Sequence, residues 1–198
     1  MSTKKNWKIF WDLQCPYSKK NWELLPSIKK KFSDEYEFTI HLSSLLFHPQ
    51  AFVGQCAAHL IEAKKGEEAR LKFIDACFEN QASFMNAAVG DARKSEVNAI
   101  FAGIAEKIGV FDEDAPADAD EEKVLTKKGF LDNLHDWDQA VKPAWMEHKQ
   151  ALALAVHSVP KSIIDGVLVP DSESDWGPDR WGEALESIKK RKAEEVNS

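Results

Sequence analysis

Strand-type signals occur only at the two ends of this 198-residue chain, and everything from Pro49 to Val156 carries helical periodicity alone. The run Asn6-Trp7-Lys8-Ile9-Phe10-Trp11-Asp12 is short, aromatic-rich and bounded by polar residues, which is strand composition. Glu35 to Ser44 alternates through Tyr36, Phe38, Ile40 and Leu42, as a half-buried strand does. Near the other end, Lys161–Ile164 and Val167–Val169 flank Asp165-Gly166, a hairpin-turn signature. Strands at both ends must share a sheet. The chain is therefore read as an α/β domain in two pieces, residues 6–48 and 157–195, interrupted by an all-helical insertion over 49–156.

The helices are expected as follows. Pro16 to Phe32 places Trp22, Leu25, Ile28 and Phe32 on one face and lysines on the other, with Pro26 predicted to bend it. Gln50–Lys65 and Glu67–Glu79 are separated by Gly66, a C-terminal stop. Ser95 heads a helix through Ile108 that Gly109 ends. Glu121–Asn133 and Asp136–His157 follow, the second interrupted by Pro143. A last helix starts near Pro178, and its basic Lys189–Lys192 end suits the negative pole of a helix dipole.

Charge and composition remove whole classes of function. Asp112, Glu113, Asp114, Asp118, Asp120, Glu121 and Glu122 lie together with no base among them. This cluster alone accounts for the net charge of −7 that 26 Lys+Arg and 33 Asp+Glu produce. The rest of the chain is balanced and offers no basic face to nucleic acid. The cluster surrounds Pro116 and reads as a solvated loop. It lacks the ordered ligand spacing and the turn glycine of a calcium loop. No apolar run of about 18 residues suggests a membrane span, and the polar, basic N-terminus has no signal-peptide core. The expected compartment is the cytoplasm.

Three cysteines at wide spacing, Cys15, Cys56 and Cys77, argue against a disulfide framework and against a zinc site. Cys56 and Cys77 lie in helical patterns beside apolar neighbours and read as inert core thiols. Cys15 stands where a strand gives way to a helix, and Pro16 fits the first helical position. The first-turn N–H groups of a helix have no partners within it and favour negative charge. A thiol held there is biased toward the thiolate, the form that attacks disulfides and electrophiles. Lys19 and Lys20 add positive potential.

The run Phe10-Trp11-Asp12-Leu13-Gln14-Cys15-Pro16-Tyr17-Ser18 resembles the active-site strand and helix start of the thioredoxin superfamily, in its DsbA-like branch. Phe47-His48-Pro49-Gln50-Ala51 is similar to the entry into that branch's helical insertion. His157-Ser158-Val159-Pro160-Lys161 with Ile163-Ile164-Asp165-Gly166 resembles its cis-proline loop, next strand and turn. The likeness runs from about Trp7 to Ile188 and implies an α/β, thioredoxin-like fold with a large all-helical insertion. It also implies that Val159 offers backbone groups to a bound peptide or glutathione and that Pro160, in cis, walls the site beside Cys15.

The motif departs from the branch at Ser18, where a second cysteine would resolve the mixed disulfide. Three mechanisms remain open. Glutathione resolves the intermediate, a distant thiol such as Cys56 does so, or redox turnover is lost and a binding module is left. Cys15-Pro16-Tyr17-Ser18 is also similar to the Ser-Pro-Tyr-Ser of kappa-class glutathione transferases and chromene-carboxylate isomerases. The leading expectation is a monothiol thiol–disulfide oxidoreductase using Cys15. It would have no bound cofactor, glutathione as co-substrate, and protein thiols or disulfides as partners. His48 is either a proton shuttle near Cys15 or a surface loop histidine. Tyr17 either donates a hydrogen bond over the site or only packs. Asp12 reads as a turn residue rather than a base, and His41 as solvent-facing.

Overall fold

The computed structural model describes residues 4–116, 123–169 and 172–196, the last six by backbone alone. Four strands form one sheet: β1 (Lys5–Trp11), β2 (Tyr36–Leu42), β3 (Lys161–Ile164) and β4 (Val167–Val169), in the order β2-β1-β3-β4. β1 runs parallel to β2, pairing Trp7 with Phe38, and antiparallel to β3, pairing Trp7 with Ile164. The two ends of the chain thus meet on either side of one central strand. β3 and β4 close the sheet as a hairpin whose turn residues, Asp165 and Gly166, both have positive φ.

The alternation of β1 decides what packs on each face. Trp7, Ile9 and Trp11 point into the main core with Leu25, Ile28 and Phe32 of α1 (Pro16–Phe32) and Trp181, Leu185 and Ile188 of α8 (Pro178–Val196). The two buried indoles of β1 find acceptors, Trp7 on Ser162 Oγ at 3.0 Å and Trp11 on Asn21 Oδ1 at 2.9 Å. Phe10 points the other way, toward Ile163, Ala151 and Val156. α1 continues through Pro26 as one element.

Between the two sheet segments lie α2 (Pro49–Lys65), α3 (Glu67–Glu79), a 3-10 turn at Gln81–Phe84, α4 (Asn86–Val89), α5 (Lys94–Lys107), α6 (Lys127–Asn133), a π turn at Trp137–Val141, and α7 (Lys142–Ala153). Gly66 separates α2 from α3 with φ 82°, a conformation that suits glycine.

Several expectations are corrected. α5 starts at Lys94, and the helix entry is held by Glu96, which accepts the Arg93 N–H at 2.6 Å, so Ser95 is not the cap. α6 starts at Lys127, where Thr126 accepts the Gly129 N–H at 3.0 Å. Its expected first residues, Glu121 and Glu122, lie outside the described residues. The segment from Asp136 divides into the π turn and α7, and α7 stops well short of His157, with Ala155 at φ 59°. Asp112 is not simply solvated: it pairs with Lys65 and accepts the Leu125 N–H at 2.8 Å. Asp118 and Asp120 lie outside the described residues.

His41 is also corrected. Alternation does send it to the face opposite Ile40, but α7 covers that face. Its ring stacks on Phe10 at 4.8 Å and its Nδ1 lies 3.4 Å from Glu147. Among the described residues, no helix is long and apolar enough to cross a membrane and no group of His, Cys, Asp and Glu is placed to hold a metal ion.

Candidate active site

β1 ends at Trp11, and α1 begins at Pro16 after only four intervening residues. Asp12 makes that tight passage possible. Its Oδ1 accepts the N–H groups of Gln14 at 2.7 Å and Cys15 at 3.0 Å, which closes an Asx-type turn. Its own N–H donates to Ser18 Oγ at 3.1 Å. Its Oδ2 accepts the Leu45 N–H at 2.7 Å and lies 3.0 Å from His48 Nδ1. The turn reading of Asp12 therefore holds, but the residue also ties the Cys15 loop to the loop after β2. Burial raises its pKa above the usual carboxylate value, opposed by the hydrogen bond from Leu45 and the charge of His48.

The insertion grips the same loop from the other side. The buried Gln81 side chain donates to the carbonyls of Leu13 at 2.8 Å and Cys15 at 3.1 Å. The buried Gln14 side chain donates to Phe84 O at 2.9 Å and Asn86 Oδ1 at 3.1 Å, and accepts the Ala51 N–H at 2.9 Å. Gly54 lets α2 approach. A Cβ there would stand 2.7 Å from Leu13 Cδ1 and 2.8 Å from the ring of Phe101.

Cys15 occupies the N-cap position of α1, with Pro16 following at the first helical position. Its residue exposure is 4%, so it is less open than a freely accessible thiol. Sγ donates to Val159 O at 3.7 Å. The Val159–Pro160 bond is cis. The residues singled out on both sides of the insertion, Cys15 and Val159, thus meet directly.

The remaining candidates are arranged around that pair. Ser18 is fully buried and its hydroxyl holds the Asp12 N–H, so it serves the loop rather than facing outward. Pro16 and Tyr17 are exposed, Tyr17 at 65%, and Leu46 and Phe47 on the neighbouring loop are exposed as well. His48 stands under the Phe47 ring at 4.6 Å and reaches Asp12. It is connected to Cys15 through that carboxylate.

Cys56 and Cys77 are core thiols. Burial pushes Cys56 up to about 12 and Cys77 well above the ordinary range. Cys56 sits at 1% exposure inside α2, which counts against its serving as a resolving thiol for Cys15. Sequence reasoning missed Gln14, Gln81 and Asn86. Uncharged amides leave no local mark on the pattern, because what distinguishes them is a partner about 70 residues away.

A second polar cluster lies apart from this loop, centred on Glu147 of α7. Arg70 of α3 reaches it at 2.9 Å, His59 and Gln55 of α2 at 3.0 Å, and His41 of β2 at 3.4 Å. Arg70 also donates to Ile40 O at 3.1 Å.

No protein-family model matches the chain, and no curated protein matches it by sequence. Solved structures do match it. A Pseudomonas syringae protein provisionally assigned as a protein-disulfide isomerase superposes with a TM-score of 0.69 at 17% identity, over 91% of this chain and 93% of that one. BdbD from Bacillus subtilis gives 0.64 at 15%, over 92% and 86%. DsbA from Pseudomonas aeruginosa gives 0.60 at 16%, over 100% and 88%. Each superposition spans most of both chains, so the sheet and the helices between its two segments are matched together. The chain carries the DsbA-like form of the thioredoxin fold, with its helical insertion.

Proposed function

We propose that this protein is a monothiol thiol–disulfide oxidoreductase that uses Cys15, with glutathione as co-substrate and protein thiols or disulfides as partners. The observation that carries the reading is the meeting of Cys15 Sγ with Val159 O at the mouth of the first helix, while Ser18 is committed to the Asp12 N–H. The names of the structural neighbours support thiol–disulfide chemistry in general.

In the first step the Cys15 thiolate attacks the glutathione sulfur of a protein–glutathione mixed disulfide. That S–S bond breaks, a Cys15–glutathione disulfide forms, and the departing protein thiolate takes a proton. In the second step a glutathione thiolate attacks the glutathione sulfur of that mixed disulfide. Oxidised glutathione leaves and Cys15 returns as thiolate. Ser18 has no sulfur to perform that second step, so an external thiol must. His48, at the rim and linked through Asp12, is assigned the proton donated to the departing thiolate. Val159 supplies backbone groups to the bound partner, with Pro160, Pro16 and Tyr17 flanking it. A reducing, cytoplasmic setting belongs to the same proposal, since all three cysteines are unpaired.

The test is a glutathione-coupled disulfide reduction assay on the wild type beside Cys15→Ser, with mass spectrometry after treatment with oxidised glutathione. Turnover lost in Cys15→Ser, and a glutathione adduct on Cys15 alone, support the assignment. Glutathione binding without turnover overturns it in favour of a conjugating or isomerising enzyme. Neither binding nor turnover overturns it in favour of a binding module.

A further inference from the structure

We infer that the Asp12 carboxylate restrains Cys15, and that His48 releases the restraint by neutralising Asp12. The inference rests on the reading of Cys15 as the nucleophile and adds the groups that set its reactivity.

The geometry is direct. Asp12 Oδ1 accepts the Cys15 N–H at 3.0 Å, which places a carboxylate oxygen one hydrogen bond and three covalent bonds from Sγ. The Cys15 N–H is shared with the Asp12 carbonyl at 3.1 Å. The contact opposes the thiolate because it brings a like charge close in a buried setting. The Asp12 side chain is fully buried, whereas that of His48 is 13% exposed. A protonated His48 at 3.0 Å from Oδ2 balances the carboxylate, and the thiolate then no longer shares the site with an uncompensated anion. Among the described residues, the titratable groups that face Asp12 are His48 from the loop after β2 and Cys15 from its own loop. Ser18 from α1 and the backbone amides of Gln14 and Leu45 are neutral. The raised Asp12 pKa agrees with a carboxylate poorly compensated by its surroundings.

The two residues must act in opposite directions, which no purely structural role produces. The test is the alkylation rate of Cys15 with iodoacetamide in the full chain, followed by mass spectrometry of each cysteine. In that reaction the thiolate displaces iodide and forms a thioether. Asp12→Asn keeps an oxygen for the Gln14 and Cys15 N–H groups but removes the charge. It is expected to react about tenfold faster at pH 7, with the pH of half-maximal rate moved down. His48→Gln leaves the carboxylate unbalanced and is expected to react about threefold more slowly, with that pH moved up.

Asp12→Asn sets an amide against the Leu45 N–H, so its folding is checked first. If it does not fold, His48→Gln decides: slowing with the upward shift supports the inference, and an unchanged profile overturns it. Both variants slower, or neither altered, also overturns it and leaves Asp12 as a turn residue only. If Cys15 of the folded wild type is not alkylated while the denatured chain is, the nucleophile reading itself fails. The two failures are thereby separate.

Discussion

Two buried carboxylates, Asp12 and Glu147, face opposite electrostatic outcomes in the same molecule. For both, burial is the largest influence and opposes ionisation. Glu147 nevertheless falls to about 2, because the imidazoles of His41 and His59 and the guanidinium of Arg70 converge on it. Asp12 rises, because most of its partners are neutral backbone N–H groups and only His48 carries a balancing charge. Depth does not set the charge state; the charge of the partners does. The Glu147 cluster joins β2, α2, α3 and α7 and has the character of a clamp. The Asp12 cluster holds the Cys15 loop and has a single charged partner, His48.

The comparison breaks most visibly at Arg70. Arg70→Ala strands Glu147 as a buried charge and leaves Ile40 O without its donor, so a loss of about 3–5 kcal/mol in urea unfolding is expected. Gly54→Ala tests the Asp12 side by volume alone. Its new methyl meets Leu13 and Phe101, and about 1–3 kcal/mol of stability should be lost in the same measurement. Ser18→Ala removes the acceptor of the buried Asp12 N–H, and about 1 kcal/mol or slightly more is the expected cost.

The smallest effect is a slope against pH, and its sign differs between the clusters. Glu147 has a depressed pKa, so its contribution is present above the ordinary value of 4.5 and is lost as pH falls toward about 2. His59 is pulled down by burial but raised overall by Glu147 and Glu62. Its contribution is therefore present below the ordinary 6.5 and is lost as pH rises through its elevated value. Asp12 is raised, so its stabilising effect is present below 3.8 and is lost as pH climbs through its folded value. Urea midpoints from pH 3 to 8 for wild type, Glu147→Gln and Asp12→Asn check this. The difference from wild type should narrow toward acid for Glu147→Gln and change in the opposite sense for Asp12→Asn.

Much of this was legible in the residues. The short aromatic-rich run Asn6–Asp12 marked the first strand, and Asp165-Gly166 marked the hairpin. Cys15-Pro16 and Val159-Pro160 were both singled out, and they meet at 3.7 Å. What stayed hidden depends on which surface a neighbour covers. The periodicity that sent His41 away from Ile40 was right, but α7 lies on that face and turns an outward position into part of a buried cluster. The start of α5 was missed by one residue because the Glu96 contact, not a hydroxyl cap, holds its entry. Asp12 looked like an ordinary turn residue because its second oxygen reaches Leu45 and His48, more than 30 positions on.

The Gln81 side chain has a consequence for modularity. It takes up the carbonyls of Leu13 and Cys15, while Gln14 spends its amide on the 84–86 segment and the start of α2. Joining residues 6–48 directly to 157–195 would remove those partners and open the Cys15 loop to water, leaving its carbonyls and the Gln14 amide with no protein group to hold their orientation. The helical block is therefore not a cassette that can be excised with the Cys15 loop left in place. In hydrogen exchange the amides of Gln14 and Cys15 should open together with those of α2, as one cooperative unit. A lineage shortening this chain would lose the geometry of the cysteine before it lost the sheet.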